Sequence, residues 1–213
     1  GEGAAGVSVS DGASLTIDSS GDTLGKLQVR AARTSNGIWL NNSGTLIINN
    51  GVIEAYGGGG QVGIGGLSNG SLVAINGGLV KAQGGHDNNV NTYDGAGIGG
   101  YWDNSGCDVE INGGLVEAYG GGNAAGIGGG FYMGSNGTIK GKSGGSITIT
   151  GGYIKASSIG ASLGGNQTNP LSITGGAFNQ GSAGGNGSIY GIIPDEGYVV
   201  RNNEDSLASE YPY

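Results

Sequence analysis

Five segments of this chain repeat one signature, and that repetition limits the fold more than any other feature. Each reads as an alternating apolar strand, a turn and a second short strand. They are Thr45-Leu-Ile-Ile-Asn-Asn-Gly-Val-Ile-Glu-Ala55, Leu72-Val-Ala-Ile-Asn-Gly-Gly-Leu-Val-Lys-Ala82, Asp108-Val-Glu-Ile-Asn-Gly-Gly-Leu-Val-Glu-Ala118, Ser146-Ile-Thr-Ile-Thr-Gly-Gly-Tyr-Ile-Lys-Ala156 and a degenerate Leu171-Ser-Ile-Thr-Gly-Gly-Ala-Phe-Asn179. The equivalent Ile48, Ile75, Ile111, Ile149 and Ile173 are spaced by 27, 36, 38 and 24 residues. A third element follows most copies: Val62-Gly-Ile-Gly-Gly66, Ala96-Gly-Ile-Gly-Gly100, Ala125-Gly-Ile-Gly-Gly129 and Ala161-Ser-Leu-Gly-Gly165. Ala5-Gly-Val7, Leu15-Thr-Ile17, Val29-Arg-Ala31 and Asn36-Gly-Ile38 read as earlier copies.

Self-similarity at this period means stacked repeats, and period-2 alternation means strands. Three short strands per repeat, joined by Gly turns, make one rung of a coil. The sequence therefore predicts an all-β, right-handed parallel β-helix (a β-solenoid) of about six three-strand rungs over 1–191. The hand follows the usual parallel crossover. A non-repetitive C-terminal capping segment is expected over 192–213. With 53 Gly among 213 residues the chain could have read as disordered, but the apolar residues are periodic. Variable spacing fits insertions at the corners.

Alternation assigns the interior. Leu15, Ile17, Leu46, Ile48, Val73, Ile75, Val109, Ile111, Ile147, Ile149, Leu171 and Ile173 line the first side. Val29, Ile53, Val80, Val116 and Ile154 line the second, with an alanine column at Ala31, Ala55, Ala82, Ala118 and Ala156. Val7, Ile38, Ile64, Ile98, Ile127 and Leu163 line the third. The outward second-side residues are Arg30, Glu54, Lys81, Glu117 and Lys155, whose alternating signs suit a stack in which like charges would repel. Asn49, Asn76 and Asn112 are expected to form an amide ladder at the first corner. Val52, Leu79, Leu115 and Tyr153 make an outward apolar column. The Gly-Ile-Gly-Gly elements present no outward Cβ, which suits either a tight corner or close approach by a neighbour or ligand.

Charge and composition exclude several classes. Eight Lys and Arg against 16 Asp and Glu give a net charge of −8. That argues against nucleic acid, which needs a basic face, and against anionic lipid. No apolar run approaches a membrane helix. The single Cys107 excludes internal disulfides and an all-Cys zinc site, and the single His86 excludes clustered imidazole ligands. The opening Gly1-Glu2-Gly3 has no leader-like pattern, so a mature or excised segment with further domains of the same polypeptide is expected.

The run Ile111-Asn-Gly-Gly-Leu-Val-Glu-Ala-Tyr-Gly-Gly-Gly122, followed by Ala124-Ala-Gly-Ile-Gly-Gly-Gly130, resembles Gly-rich repeats in large secreted or cell-wall proteins of Gram-positive bacteria. It is also similar to carbohydrate-binding parallel β-helix domains related in fold to pectate lyases. The resemblance spans about residues 5–190. It implies a secreted or cell-wall location, contact with polysaccharide and, in some members, calcium. No catalytic motif of those families can be matched here residue by residue.

Three constellations could carry chemistry. Glu54 and Glu117 stand two rungs apart, near the upper end of an inverting-glycosidase separation, but Lys81 intervenes and a solvated charge ladder is the stronger reading. His86 is the only candidate base, in a polar loop. Asp87, Asp94, Asp103 and Asp108 lie on two neighbouring inserts and could supply oxygen ligands for calcium, although no fixed loop spacing is present. The aromatic set is Tyr56, Tyr93, Tyr101, Trp102, Tyr119, Phe131 and Tyr132. Inserts after residues 84, 100 and 130 leave consecutive rungs, so they should gather on one side, where a solenoid often builds its binding face.

The functional expectation is a non-catalytic, extracellular glycan-binding or adhesive module, secreted or cell-wall attached. Its partner would be a polysaccharide or a host or plant glycan. The alternatives are a structural stalk, or a non-catalytic part of a polysaccharide-degrading enzyme.

Overall fold

The computed structural model describes residues 5–20, 24–67, 69–87, 89, 91–179 and 200–201. Within them the repeat closes into a parallel β-helix of about six rungs, each supplying one strand to each of three parallel sheets. The first sheet stacks Ser14–Ile17, Thr45–Ile48, Leu72–Ile75, Asp108–Ile111, Ile147–Ile149 and Leu171–Ile173. The second stacks Lys26–Arg30, Val52–Tyr56, Leu79–Gln83, Leu115–Tyr119, Tyr153–Ala156 and Ala177–Asn179, with Val200–Arg201 pairing beyond. The third runs Val7–Val9, Ile38–Leu40, Ile64–Gly66, Ile98–Gly99, Ile127–Gly128 and Ile159–Gly160.

Register follows the apolar columns, because a one-residue slip would turn every inward side chain to solvent. On the first side Leu15, Leu46, Val73, Val109, Ile147 and Leu171 stack in order, as do Ile17, Ile48, Ile75, Ile111, Ile149 and Ile173. The middle members, from Leu46 and Ile48 to Ile147 and Ile149, are almost fully buried. At the corner Asn76 donates to Asn49 and Asn112 to Asn76, both at 2.9 Å, and Thr150 Oγ1 extends the ladder to Asn112 at 2.7 Å. Cys107 is a buried filler among these residues, its thiol pushed up to about 12 by burial.

Three expectations need correction. On the second side the first rung is displaced by two residues: Gln28, not Arg30, stands over Glu54, and Val29, not Ala31, heads the alanine column above Ala55. Arg30 falls over Tyr56, its guanidinium 4.1 Å from the ring centre. Both registers keep apolar residues inward. The observed one also places Leu27 over Ile53 and lets Lys26 reach Glu54 at 3.0 Å. On the third side Ile159, not Leu163, stacks on Ile127; Ile159 is 3% exposed and Leu163 37%. The Ser158-Ile159-Gly160 run repeats the Gly-Ile-Gly geometry five residues after the second-sheet core position Ile154, which leaves Leu163 on the following turn.

The rest of the charge column is in register. Glu54, Lys81, Glu117 and Lys155 stand over one another, and Lys81 pairs with Glu117 at 3.5 Å. Hydrogen bonds from Lys26 and Gln28 hold the Glu54 carboxyl below its ordinary value. The outward apolar column also stacks: Leu115 and Tyr153 form a small buried cluster against Leu79 and Ala177. The 192–213 cap falls outside the described residues apart from the Val200–Arg201 strand.

The glycine column of the third sheet is a packing device. Gly65, Gly99 and Gly128 have φ of 139°, 134° and 144°, a region that side-chain-bearing residues rarely enter. A Cβ on each would overlap the carbonyl oxygen of the glycine one rung further on. These residues are buried, so the column is no bare surface open to a ligand.

Candidate functional site

The inserts do gather on one side, as more than loops. His86–Asp87, Thr92–Asp94, Phe131–Met133 and Ile139–Gly141 form a four-stranded antiparallel side sheet. Its last hairpin turns through Gly134–Gly137, with Gly134 N donating to Thr138 O at 2.8 Å and Gly137 N to Gly134 O at 2.9 Å. Asn91 ties that turn to the sheet. Its Oδ1 accepts from Ser135 N at 2.9 Å, and its amide donates to the Tyr93 hydroxyl at 3.3 Å.

Directly opposed residues in adjacent strands share a face. One row across the four strands is His86, Asp94, Phe131 and Gly141; the next is Asp87, Tyr93, Tyr132 and Lys140. The first row anchors the sheet. Asp94 is fully buried, its carboxylate paired with His86 Nδ1 and accepting from Asn123 N at 2.8 Å on the neighbouring corner. Burial pushes the Asp94 carboxyl up, outweighing the hydrogen bonds from Asn123 and His86 that favour its charged form. Phe131 is 1% exposed. Its expected place on the ligand face is therefore corrected: alternation along the strand turns Phe131 inward and Tyr132 outward.

The second row belongs to a continuous aromatic strip. Trp39 occupies the outward column that Gly65 and Gly99 continue, and meets Tyr101 edge-on at 5.0 Å between ring centres. Tyr101 lies 5.9 Å from Trp102, Trp102 4.9 Å from Tyr93, and Tyr93 5.1 Å from Tyr132. Lys140 Nζ sits 5.5 Å from the Tyr132 ring centre. Trp102 is held at φ 47° and its side chain is among the exposed large apolar ones. A left-handed backbone at a bulky residue costs on the order of 1–3 kcal/mol, so the surroundings must impose it. Two glycines do so. A Cβ at Gly60 would lie 2.7 Å from Trp102 Nε1 and 2.8 Å from Tyr93 Cβ, and one at Gly130 would overlap the Trp102 carbonyl. The indole thus rests on bare backbone.

Tyr56 and Tyr119 stand apart from this strip. They are second-sheet residues separated by Gln83 in register, and among the described residues no ring contact joins them to the others. Burial pushes the Tyr119 phenol up, against the pull of Lys155.

The four candidate calcium ligands are each engaged separately. Asp87 accepts from Asn89 N at 3.1 Å and from its side-chain amide, Asp94 is the anchor, and Asp108 Oδ1 accepts from Ser146 N at 2.7 Å. Asp103 Oδ2 lies 3.5 Å from Lys140 Nζ and its Oδ1 2.9 Å from Lys142 Nζ, the latter at an angle too oblique for a hydrogen bond. Among the described residues no three His, Cys, Asp or Glu gather around a point that could hold an ion. His86 has a carboxylate behind it, but among the described residues no hydrogen bond joins it to a hydroxyl or thiol.

Sequence reasoning missed Lys140, Lys142, Gly60 and the anchoring role of Asp94. A signal existed for the first two: Phe131-Tyr-Met133 and Thr138-Ile-Lys140 flank Asn136-Gly137, a hairpin signature. Fold and site together define a parallel β-solenoid bearing an antiparallel side sheet with an aromatic strip. Comparison with known proteins found no family model that matches the chain, and no match among curated proteins or solved structures.

Proposed function

We propose that this chain is a non-catalytic glycan-binding module of an extracellular bacterial protein, with the strip from Tyr101 to Tyr132 as its ligand surface. One observation carries the reading. Four aromatic side chains from three separate inserts stand in line, with Trp102 exposed and held in a strained backbone conformation between Tyr101 and Tyr93. Exposed aromatics offer large contact area with little side-chain entropy to lose. Sugars stack their CH faces on such rings while neighbouring polar groups take the hydroxyls. Asn91, Asp87 and Asp103 border the strip. The Gly-rich resemblance to secreted and cell-wall repeats points to the same location and ligand class.

Affinity electrophoresis against plant, mucin and bacterial polysaccharides tests the proposal. Retention of the native chain should be lost in Trp102→Ala and Tyr132→Ala and kept in Tyr56→Ala, whose ring lies outside the strip. Absence of retention on every glycan would overturn the proposal in favour of a structural stalk. Release of new reducing ends or unsaturated products would overturn its non-catalytic part.

A further inference from the structure

The strip ends in a charge pattern that narrows the ligand. Lys140 and Lys142 share one carboxylate, Asp103, at 3.5 and 2.9 Å. Two ammonium groups on one acid leave a local surplus of one positive charge, in a chain whose net charge is −8. The surplus adjoins the aromatic rings: Lys140 follows Tyr132 in the same cross-strand row, and Asp103 follows Trp102 in sequence. The other end of that row is Asp87, a carboxylate. The row spans three strand spacings, about 14 Å, so it is anionic at one end and cationic at the other with two tyrosines between. The Lys140 and Lys142 side chains are 51% and 33% exposed, which leaves both able to meet a ligand.

Resting on the glycan reading above, we infer that the preferred ligand is a carboxylate-bearing glycan, a polymer of uronic acids or one ending in acidic sugars. Its sugar rings lie on Trp102, Tyr93 and Tyr132, and its carboxylate meets Lys140 and Lys142. Asp103 is then a built-in competitor. It holds the two lysines near the strip in the free protein and yields part of their hydrogen-bonding capacity to the incoming acid. Asp87 repels a carboxylate at the opposite end and so sets the direction in which the acidic sugar lies. Charge-assisted contacts of this kind are shorter and stronger than neutral ones, and at a surface they weaken as salt screens them.

The test uses matched pairs of polysaccharides that differ only in charge: polygalacturonate, hyaluronan and a sialylated mucin, each beside its carboxyl-reduced form. A chelator is present throughout, so that calcium cannot bridge acid to protein. Titration calorimetry of the native chain should give roughly tenfold tighter binding to the acidic member of at least one pair, with the advantage shrinking as salt is raised. Lys140→Ala with Lys142→Ala should bring the acidic member down to the affinity of its reduced partner. Asp103→Asn should move the other way, tightening the acidic member severalfold and leaving the reduced one unchanged; a merely structural role for Asp103 would loosen both. Equal binding of acidic and reduced members, or binding only to neutral glycans, overturns this inference and leaves the glycan reading standing. No binding to any glycan overturns both.

Discussion

The solenoid and its side sheet solve the same problem by opposite means. In the solenoid each strand is held by a copy of itself: Val109 lies between Val73 and Ile147, Asn112 between Asn76 and Thr150. Repetition sets the register, and nearest-neighbour contacts between rungs set the stability. In the side sheet no strand repeats another. It is held by one buried carboxylate, one buried phenylalanine and the backbone of glycine corners. The two carboxylates that distinguish these regions respond oppositely to their surroundings. Glu54 on the solenoid is lowered by Lys26 and Gln28, whereas Asp94 under the side sheet is raised by burial. Repetition makes a stiff scaffold that accepts inserts, and the inserts then have freedom to build something unrepeated.

Substitutions can break that contrast, and the most severe should be Gly99→Ala. It forces a side chain into φ 134° and into the carbonyl of Gly128, so stacking at the middle of the rod fails. Loss of a single cooperative urea transition is the expected result, and retention of native stability would refute the glycine packing argument. Next comes Ile111→Ala, which empties a fully buried core position. It should cost about 2–5 kcal/mol in urea unfolding.

Asp94→Ala should act locally. It removes the partner of His86 and leaves Asn123 N without its acceptor, and an orphaned donor of this kind costs about 1–3 kcal/mol. Hydrogen exchange should quicken at Phe131–Met133 and Ile139–Gly141 while first-sheet amides stay protected. Uniform loss of protection would show that the side sheet is part of the scaffold. Asn76→Ala breaks two ladder bonds at an exposed corner and should cost only about 0.5–1.5 kcal/mol.

The smallest effect is the sign of the pH dependence. A raised carboxyl favours the fold when protonated, so the Asp94 contribution is full below its ordinary value of 3.8 and is lost as pH rises through the folded value. A lowered carboxyl does the reverse: the Glu54 contribution is present above 4.5 and is lost as pH falls through its folded value. Differences in melting temperature from the native chain, followed between about pH 3 and 6, should therefore slope oppositely for Asp94→Asn and Glu54→Gln. Parallel slopes would mean that burial is not what distinguishes the two groups.

Legibility divided along the same line. The first-sheet columns could be read residue by residue because each apolar position recurs on every rung. Reading failed where a copy was degenerate. Leu27 and Val29 both fit an inward position of the first rung, so alternation alone left a two-residue ambiguity, which the pairing of Gln28 with Glu54 resolves. Leu163 resembled the motif, but Ile159 filled the column. At the candidate site Tyr93, Tyr101, Trp102 and Tyr132 were identifiable as aromatic residues on neighbouring inserts. Their joining into a strip depends on pairing between segments about 40 residues apart, Thr92–Asp94 with Phe131–Met133, which no local pattern encodes. Asp94 illustrates the limit: as an acidic loop residue it suggested a metal ligand, and its burial beside His86 makes it an anchor.

By itself the sequence determined the coil, its three sides, the interior of its regular rungs and the amide ladder, because period-2 alternation that recurs every few tens of residues keeps those apolar columns from water in one register. Only the tertiary structure decided that the inserts pair into a sheet, that Phe131 turns in while Tyr132 turns out, and that Lys140 and Lys142 converge on Asp103. Those outcomes rest on contacts made once, between segments far apart in the chain. A contact made once leaves no periodic trace among the residues that form it.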